Sequence, residues 1–262
     1  MKGAAFVALL VASVQGTARA SDGIANEPWS SSSARTVPRG RWELGVLQNA
    51  HYGVTRNVEL ALHPLWLFAL PHLEVKATAF RCGRLALGVR SRFSYPTSFL
   101  ALVSREGSGG LLPKTSRAPF AVQIEGDVIG SVEVAEWHEL AARAGLGVAP
   151  HANFTPEELP LLDFPFLYPR FAAMYSPLVP RAAVDAEGRV LPRLFYHAGL
   201  TGYLMPELPD VGTAHALELL LSLEYRSSNH FAVSLGARES HAKYAIGTRS
   251  HTLPFVDARF SF

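Results

Sequence analysis

From Arg41 to Phe262 the chain places apolar residues at every second position, segment after segment, and never collects them into one long run. Trp42, Leu44 and Val46 alternate with Arg41, Glu43 and Gly45. Val58, Leu60 and Leu62 alternate with Glu59, Ala61 and His63, and Leu73, Val75, Ala77 and Ala79 with Glu74, Lys76, Thr78 and Phe80. Leu85, Leu87 and Val89 alternate with Ala86, Gly88, Arg90 and Arg92. The same period returns over Phe120–Glu125, Glu139–Val148, Leu194–Leu204, Ala216–Tyr225, Phe231–Ser240 and Thr252–Phe262. Successive side chains of a strand point to opposite faces, so this pattern predicts half-buried strands and not helices. Beyond the N-terminus no stretch approaches 18 apolar residues, which excludes spanning helices.

The links between these segments predict closure. Gly53–Asn57, Cys82–Arg84, Asp185–Gly188 and Arg226–Asn229 read as tight turns. Pro96–Pro119, Pro150–Pro169, Pro206–Thr213 and Ser240–His251 read as long connections, and the two kinds largely alternate. Outer-membrane barrels have this asymmetry, with short periplasmic turns and longer external loops. Ten strands follow from Val58 onward if Phe171–Tyr175 is one, and Arg41–Tyr52 makes an eleventh. Such barrels want an even number. The expectation is therefore an all-β, antiparallel transmembrane β-barrel of about 12 strands, or alternatively 10: either a weak strand precedes Arg41 or one of the eleven segments is not a strand.

Composition agrees. Apolar residues make up 48% of the chain and charged residues 18%, below the roughly 25% charge of soluble domains. A net charge of +2 offers no footprint for nucleic acid. Cys82 is the only cysteine, so no intramolecular disulfide can form. Met1-Lys2, the apolar stretch Ala4–Val14 and the small residues Ala18 and Ala20 make a secretory signal peptide, cleaved before Ser21. The domain division is thus 1–20 signal peptide, 21–39 flexible lead-in with Ser30–Ser33 in a row, and 40–262 barrel. The expected setting is the bacterial outer membrane, with its lipid as the first partner.

Tyr52-Gly53-Val54-Thr55-Arg56-Asn57-Val58-Glu59-Leu60 resembles the strand–turn–strand phrase of Gram-negative outer-membrane barrels, and Gly40-Arg41-Trp42-Glu43-Leu44 looks like their first strand. The nearest such family is the transporter barrels associated with phenol-degradation pathways. Phe260 and the terminal Phe262 resemble the signal read by the barrel-insertion machinery. The likeness covers about a fifth of the chain. It implies a fold and a compartment, carries over no catalytic residue, and names no solute.

If the apolar set faces lipid, the alternate set faces the interior. That places Glu59, Glu74, Lys76, Arg90, Arg92, Glu139, Arg143, Glu218, Glu224, Arg238, Asp257 and Arg259 inside. Cross-strand neighbours lie about 5 Å apart, so Glu74 or Lys76 can pair with Arg90 or Arg92. Two readings follow: a structural network that fills the barrel, or the lining of a passage whose charges set selectivity.

Enzyme motifs fail on inspection. His138-Glu139 begins like a zinc-protease helix, but Arg143 stands where a second histidine belongs. Gly110–Thr115 has proline where a phosphate loop needs glycine. Ser228 with His230, and Ser240 with His241, are offered as lipid-hydrolase pairs, and neither has an evident third group. No cofactor or metal is expected. The functional expectation is a porin-like channel or transporter for small solutes. A structural or surface-interaction barrel with binding external loops is the alternative. Lower still come a lipid hydrolase and a periplasmic lipocalin-like barrel.

Overall fold

The structure is a computed structural model that describes residues 29–64, 67, 70–99, 120–150, 168–208, 211–244 and 247–262. The expected signal peptide, with Ala18, Ala20 and Ser21, lies outside the described residues, as do most of Pro96–Pro119 and Pro150–Pro169. Twelve antiparallel strands form one closed barrel, each paired with its neighbours in sequence and the last closing on the first. They are β1 (Trp42–Gly45), β2 (Ala50–Gly53), β3 (Val58–Leu62), β4 (His72–Cys82), β5 (Leu85–Ser94), β6 (Gln123–Ala135), β7 (His138–Val148), β8 (Val179–Leu191), β9 (Leu194–Leu208), β10 (Gly212–Arg226), β11 (Phe231–Tyr244) and β12 (Gly247–Ser261).

Twelve strands are found, but not by the expected route. Phe171–Tyr175 is no strand: it belongs to a helical turn, Tyr168–Phe171, followed by a 3₁₀ turn, Ala172–Met174, folded into the interior. The missing strand is β8, which runs straight through Asp185–Gly188. Those residues read as a turn because of their polarity, yet Asp185 finds Arg143 and Glu187 finds Ser32 inside the barrel. The real turn is Pro192–Arg193, with Arg193 at φ +71°. Arg41–Tyr52 breaks in two between Gly45 and Ala50, where the N–H groups of Val46 and Leu47 donate to the Asp257 carboxylate at 3.0 and 2.8 Å and Val46 also keeps the Ala258 carbonyl at 3.1 Å. No strand precedes Arg41 among the described residues. Pro206–Thr213 and Ser240–His251 are mostly strand, since β9 reaches Leu208, β10 starts at Gly212, β11 reaches Tyr244 and β12 starts at Gly247.

The two ends of the barrel differ. The turns after β2, β4, β6, β8 and β10 all lie at the end where β1 begins and β12 stops, and each is four residues or fewer. Gly83, in the turn after β4, takes φ +56°, a conformation glycine adopts at no steric cost. β5 and β7 finish at the opposite end, and the connections that follow them are the longest between described strands.

Faces follow the period. On β10, Leu217, Leu221, Leu223 and Tyr225 point outward with 45–51% of their surface exposed, whereas Ala216, Glu218 and Glu224 are buried. Nine residues of strand span about 26 Å, or about 20 Å of height at a ~40° tilt, the scale of a hydrocarbon band ~25 Å tall. At the turn end, exposed Trp42, Phe80, Tyr225 and Phe262 form an aromatic fringe, with Trp42 stacked on Tyr52 at 4.4 Å. Large apolar side chains therefore lie outside and charged ones inside, the reverse of a soluble barrel.

Candidate functional site

The interior is built from register. Glu59 sits opposite Lys76, Glu74 opposite Arg92, Arg90 opposite Asp127, and Arg92 opposite Glu125. Each lies on the inward face of its strand, so one ladder position places acid beside base. Lys76 Nζ is 3.3 Å from Glu59 and Arg92 Nη2 2.8 Å from Glu74. Arg90 donates from Nε and Nη2 to Asp127 at 2.7 and 2.5 Å. Arg181 donates to the same carboxylate at 2.7 and 2.9 Å and also to Glu125. Arg143 and His197 converge on Asp185 at 3.0 and 3.2 Å. Nearer the turns, Arg259 bridges Glu43 at 2.7 Å and Glu224. Charges taken out of water are costly unless paired and hydrogen-bonded, and here the pairs form a belt along β3–β8.

Two glycines make room for it. A Cβ on Gly145 would lie 2.0 Å from Asp127 Oδ1, and one on Gly199 2.6 Å from Asp185 Oδ1. Both carboxylates occupy the space a side chain would take.

Residues 29–37, part of the stretch expected to be a flexible lead-in, run across the turn-end half of the lumen instead. The Ser30 N–H and hydroxyl donate to Glu43 at 2.6 and 2.7 Å, and those of Ser32 to Glu187 at 2.9 and 2.8 Å. Arg35 meets Glu133 and Glu139 at 3.2 and 3.1 Å. The Val37 N–H donates to Glu59 at 2.8 Å, and the Thr78 hydroxyl donates to the Ala34 carbonyl at 2.6 Å. Ala34 packs on inward Ile129 and Ala86. Through these contacts the segment touches seven strands around the wall, β1 and β3–β8.

At the opposite end the helical turn after β7 closes over Met205, Ala214, Ala216 and Ala242, with Phe171 and Met174 buried among them. Arg170 Nη1 and Nη2 donate to the two oxygens of Glu218 at 2.5 and 2.7 Å, a bidentate fork. Burial alone lowers the pKa of Arg170, but the Glu218 carboxylate outweighs it and holds the guanidinium charged.

Between these two inserts lies a cavity of about 650 Å³. Of the expected interior residues, Glu59, Glu74, Lys76, Arg90, Arg92, Arg143, Glu218 and Arg238 line it. Glu139, Glu224 and Arg259 line a second cavity of about 230 Å³ on the turn side of residues 29–37. Asp257 is buried at the seam with β1. The expected Lys76–arginine pairing does not form, because Lys76 meets Glu59 and Ser31. Phe260 points outward and packs on Phe231 at 5.2 Å, and Phe262 is exposed.

Sequence reasoning missed Glu43, Glu125, Asp127, Glu133, Arg170, Arg181, Asp185 and the histidines His51 and His197. For β6 a signal existed: Gln123, Glu125, Asp127, Ser131 and Glu133 alternate with Ile124, Val128, Val132 and Val134. Gly126 and Gly130 on the outer face interrupt the apolar count.

The offered hydrolase pairs do not assemble. The His230 imidazole faces the Ser261 carbonyl at 2.8 Å, and the Ser228 hydroxyl accepts only the His230 backbone N–H. Ser240 is wholly buried inside while His241 is exposed outside, facing Ser250 at 2.8 Å. No carboxylate is hydrogen-bonded to either imidazole among the described residues.

A closed antiparallel barrel, apolar outside and charged within, defines a class: the transmembrane β-barrels. No protein-family model matches the chain, and no curated protein matches it. Solved structures do. An outer-membrane channel of Pseudomonas putida F1 aligns over 89% of this chain and 100% of its own, at 8% identity and a TM-score of 0.46. The outer-membrane channel DcaP of Acinetobacter baumannii aligns over 82% of this chain at 12% identity and a TM-score of 0.41. OccAB4 of the same organism aligns over 82% at 12% identity and a TM-score of 0.45. This chain spans 61% of the DcaP chain and 52% of the OccAB4 chain.

Proposed function

We propose that this chain is a bacterial outer-membrane β-barrel acting as a porin-like channel or transporter for small solutes. The observation that carries the reading is the charged cavity of about 650 Å³ inside a barrel whose outer wall is apolar. Ser31, Ser32, His51 and His197 line both this cavity and the second, smaller one, so polar side chains stand wherever the two approach past the crossing segment. Rings of charged side chains at close quarters sort solutes by charge and size. Within the class we place the chain nearest the transporter barrels associated with phenol-degradation pathways, on Gly40–Leu44 and Tyr52–Leu60. The turn end faces the periplasm and the longer connections face outward, as in other barrels of this kind.

Reconstitution of the purified protein into planar bilayers tests the reading. Discrete current steps in potassium chloride are expected. A barrel that folds and inserts but carries no current at any voltage would instead be a structural or surface-interaction barrel.

A further inference from the structure

The larger cavity carries seven Lys and Arg side chains against six Asp and Glu. Six of those cations are matched to the six acids: Lys76 to Glu59, Arg90 to Asp127, Arg92 to Glu74, Arg143 to Asp185, Arg170 to Glu218 and Arg181 to Glu125. The seventh is Arg238. It makes no hydrogen bond or salt bridge among the described residues. Its electrostatic interactions include those with Arg170, Glu218, Tyr203 and Arg92. The one acid among them, Glu218, already gives both oxygens to Arg170.

The neighbours of Arg238 are unlike the rest of the belt. On β10 it lies opposite Leu220, and on β12 opposite Leu253. Both leucines line the cavity, and so do Phe255, two residues along β12, and Phe171 of the helical turn. Directly opposed side chains lie about 5 Å apart. A guanidinium with five unused donors therefore stands in an apolar patch on the β10–β12 wall, facing the paired charges of β3–β8.

We infer that Arg238, Leu220 and Leu253 form a binding site for a small organic carboxylate bearing an apolar body. Arginine presents a rigid planar fork that matches a carboxylate. An uncompensated guanidinium out of bulk water favours an anion. The leucines and phenylalanines take the hydrocarbon part, so that head and body are recognised a few ångströms apart. The cavity volume falls within the roughly 300–1,000 Å³ of small-molecule sites. The inference rests on the channel reading for its role, since a bound carboxylate there would sit in the proposed path.

Two measurements on the full mature chain separate this inference from that reading. The first is equilibrium binding to the detergent-purified barrel, with benzoate, benzyl alcohol and acetate as probes, and needs no current. Benzoate is expected to bind best. Arg238→Gln should weaken benzoate by about tenfold or more, the factor set by one lost charge-assisted hydrogen-bond pair. Leu220→Ser with Leu253→Ser should weaken benzoate while leaving acetate unchanged. Benzoate binding no better than benzyl alcohol, or unaltered in Arg238→Gln protein that still folds, overturns the site. The second measurement is block of chloride current by benzoate in planar bilayers. Binding that depends on Arg238 in a barrel without current would keep the site and remove the channel; current with no Arg238-dependent binding would do the reverse.

Discussion

Replacing Gly145 by alanine tests whether the interior charge belt holds the barrel together. The new Cβ would lie 2.0 Å from Asp127 Oδ1 and 2.2 Å from the Gly126 carbonyl oxygen. The carbonyl is part of the β6–β7 ladder and cannot retreat without breaking it. The Asp127 carboxylate must therefore swing away from Arg90 and Arg181, which now donate to it at 2.5 to 2.9 Å. Breaking a buried pair costs about 3–5 kcal/mol, and overpacking adds about 1–3 kcal/mol. A loss of about 3–5 kcal/mol is expected rather than the full sum, because Arg90 keeps Glu74 at 3.8 Å and Arg181 keeps Glu125. Gly126, directly across the ladder position next to it, is the control, since a Cβ there meets nothing within 4 Å. Gly126→Ala should leave stability unchanged or raise it by up to about 1 kcal/mol. Urea unfolding in lipid vesicles, followed by tryptophan fluorescence, measures both. In a double-mutant cycle Gly145→Ala should add to Asp127→Ala only its clash with the Gly126 carbonyl, about 1–3 kcal/mol, because both remove the same ion pairs. A Gly145→Ala barrel as stable as the parent, or equal losses at both glycines, refutes the reasoning.

Other perturbations act on other parts. Leu221→Arg puts a charge on the outward face at mid-belt and should destabilise the inserted barrel by about 2–4 kcal/mol in the same assay. Arg35→Ala removes the tie to Glu133 and Glu139 and should loosen residues 29–37, raising single-channel conductance; unchanged conductance would show that this segment does not obstruct the path. Cys82 is exposed at the turn end. A membrane-impermeant maleimide added to intact cells should leave it unlabelled and should label it after the outer membrane is permeabilised.

Much of this architecture was legible because barrel strands repeat with period two and closure needs an even count. Leu217, Leu221 and Leu223 declared their face without help from tertiary context. What failed did so for physical reasons. Asp185-Ala186-Glu187-Gly188 has turn composition, and only the distant Arg143 and Ser32 make those carboxylates welcome inside a strand. Phe171 to Tyr175 is apolar enough for a strand, but a short link folded into the lumen also needs apolar residues to meet Met205 and Ala216. The four serines Ser30 to Ser33 and Arg35 look like solvent-exposed chain. They are hydrogen-bonded because the barrel interior is itself polar, a solvent that sequence polarity cannot tell from water. The belt was half visible: Glu74 and Arg92 could be paired from hairpin spacing, whereas Arg181 reaches Asp127 across Gly145 of β7, which lies between them in the ladder, a contact that needs the register of two pairings and a glycine at that position.

The direct test of the inside-out assignment is depth-resolved accessibility at two adjacent residues of β10. With Cys82→Ser as background, nitroxides attached at Leu221→Cys and Ser222→Cys are compared in lipid vesicles for relaxation by oxygen, which partitions into hydrocarbon, and by a water-soluble nickel chelate. The label at 221 should respond to oxygen and ignore the chelate, and the label at 222 should do the opposite. Chelate access at 221 with oxygen access no greater than at 222 would mean the leucine face meets water, and the membrane barrel with its charged lumen would have to be abandoned.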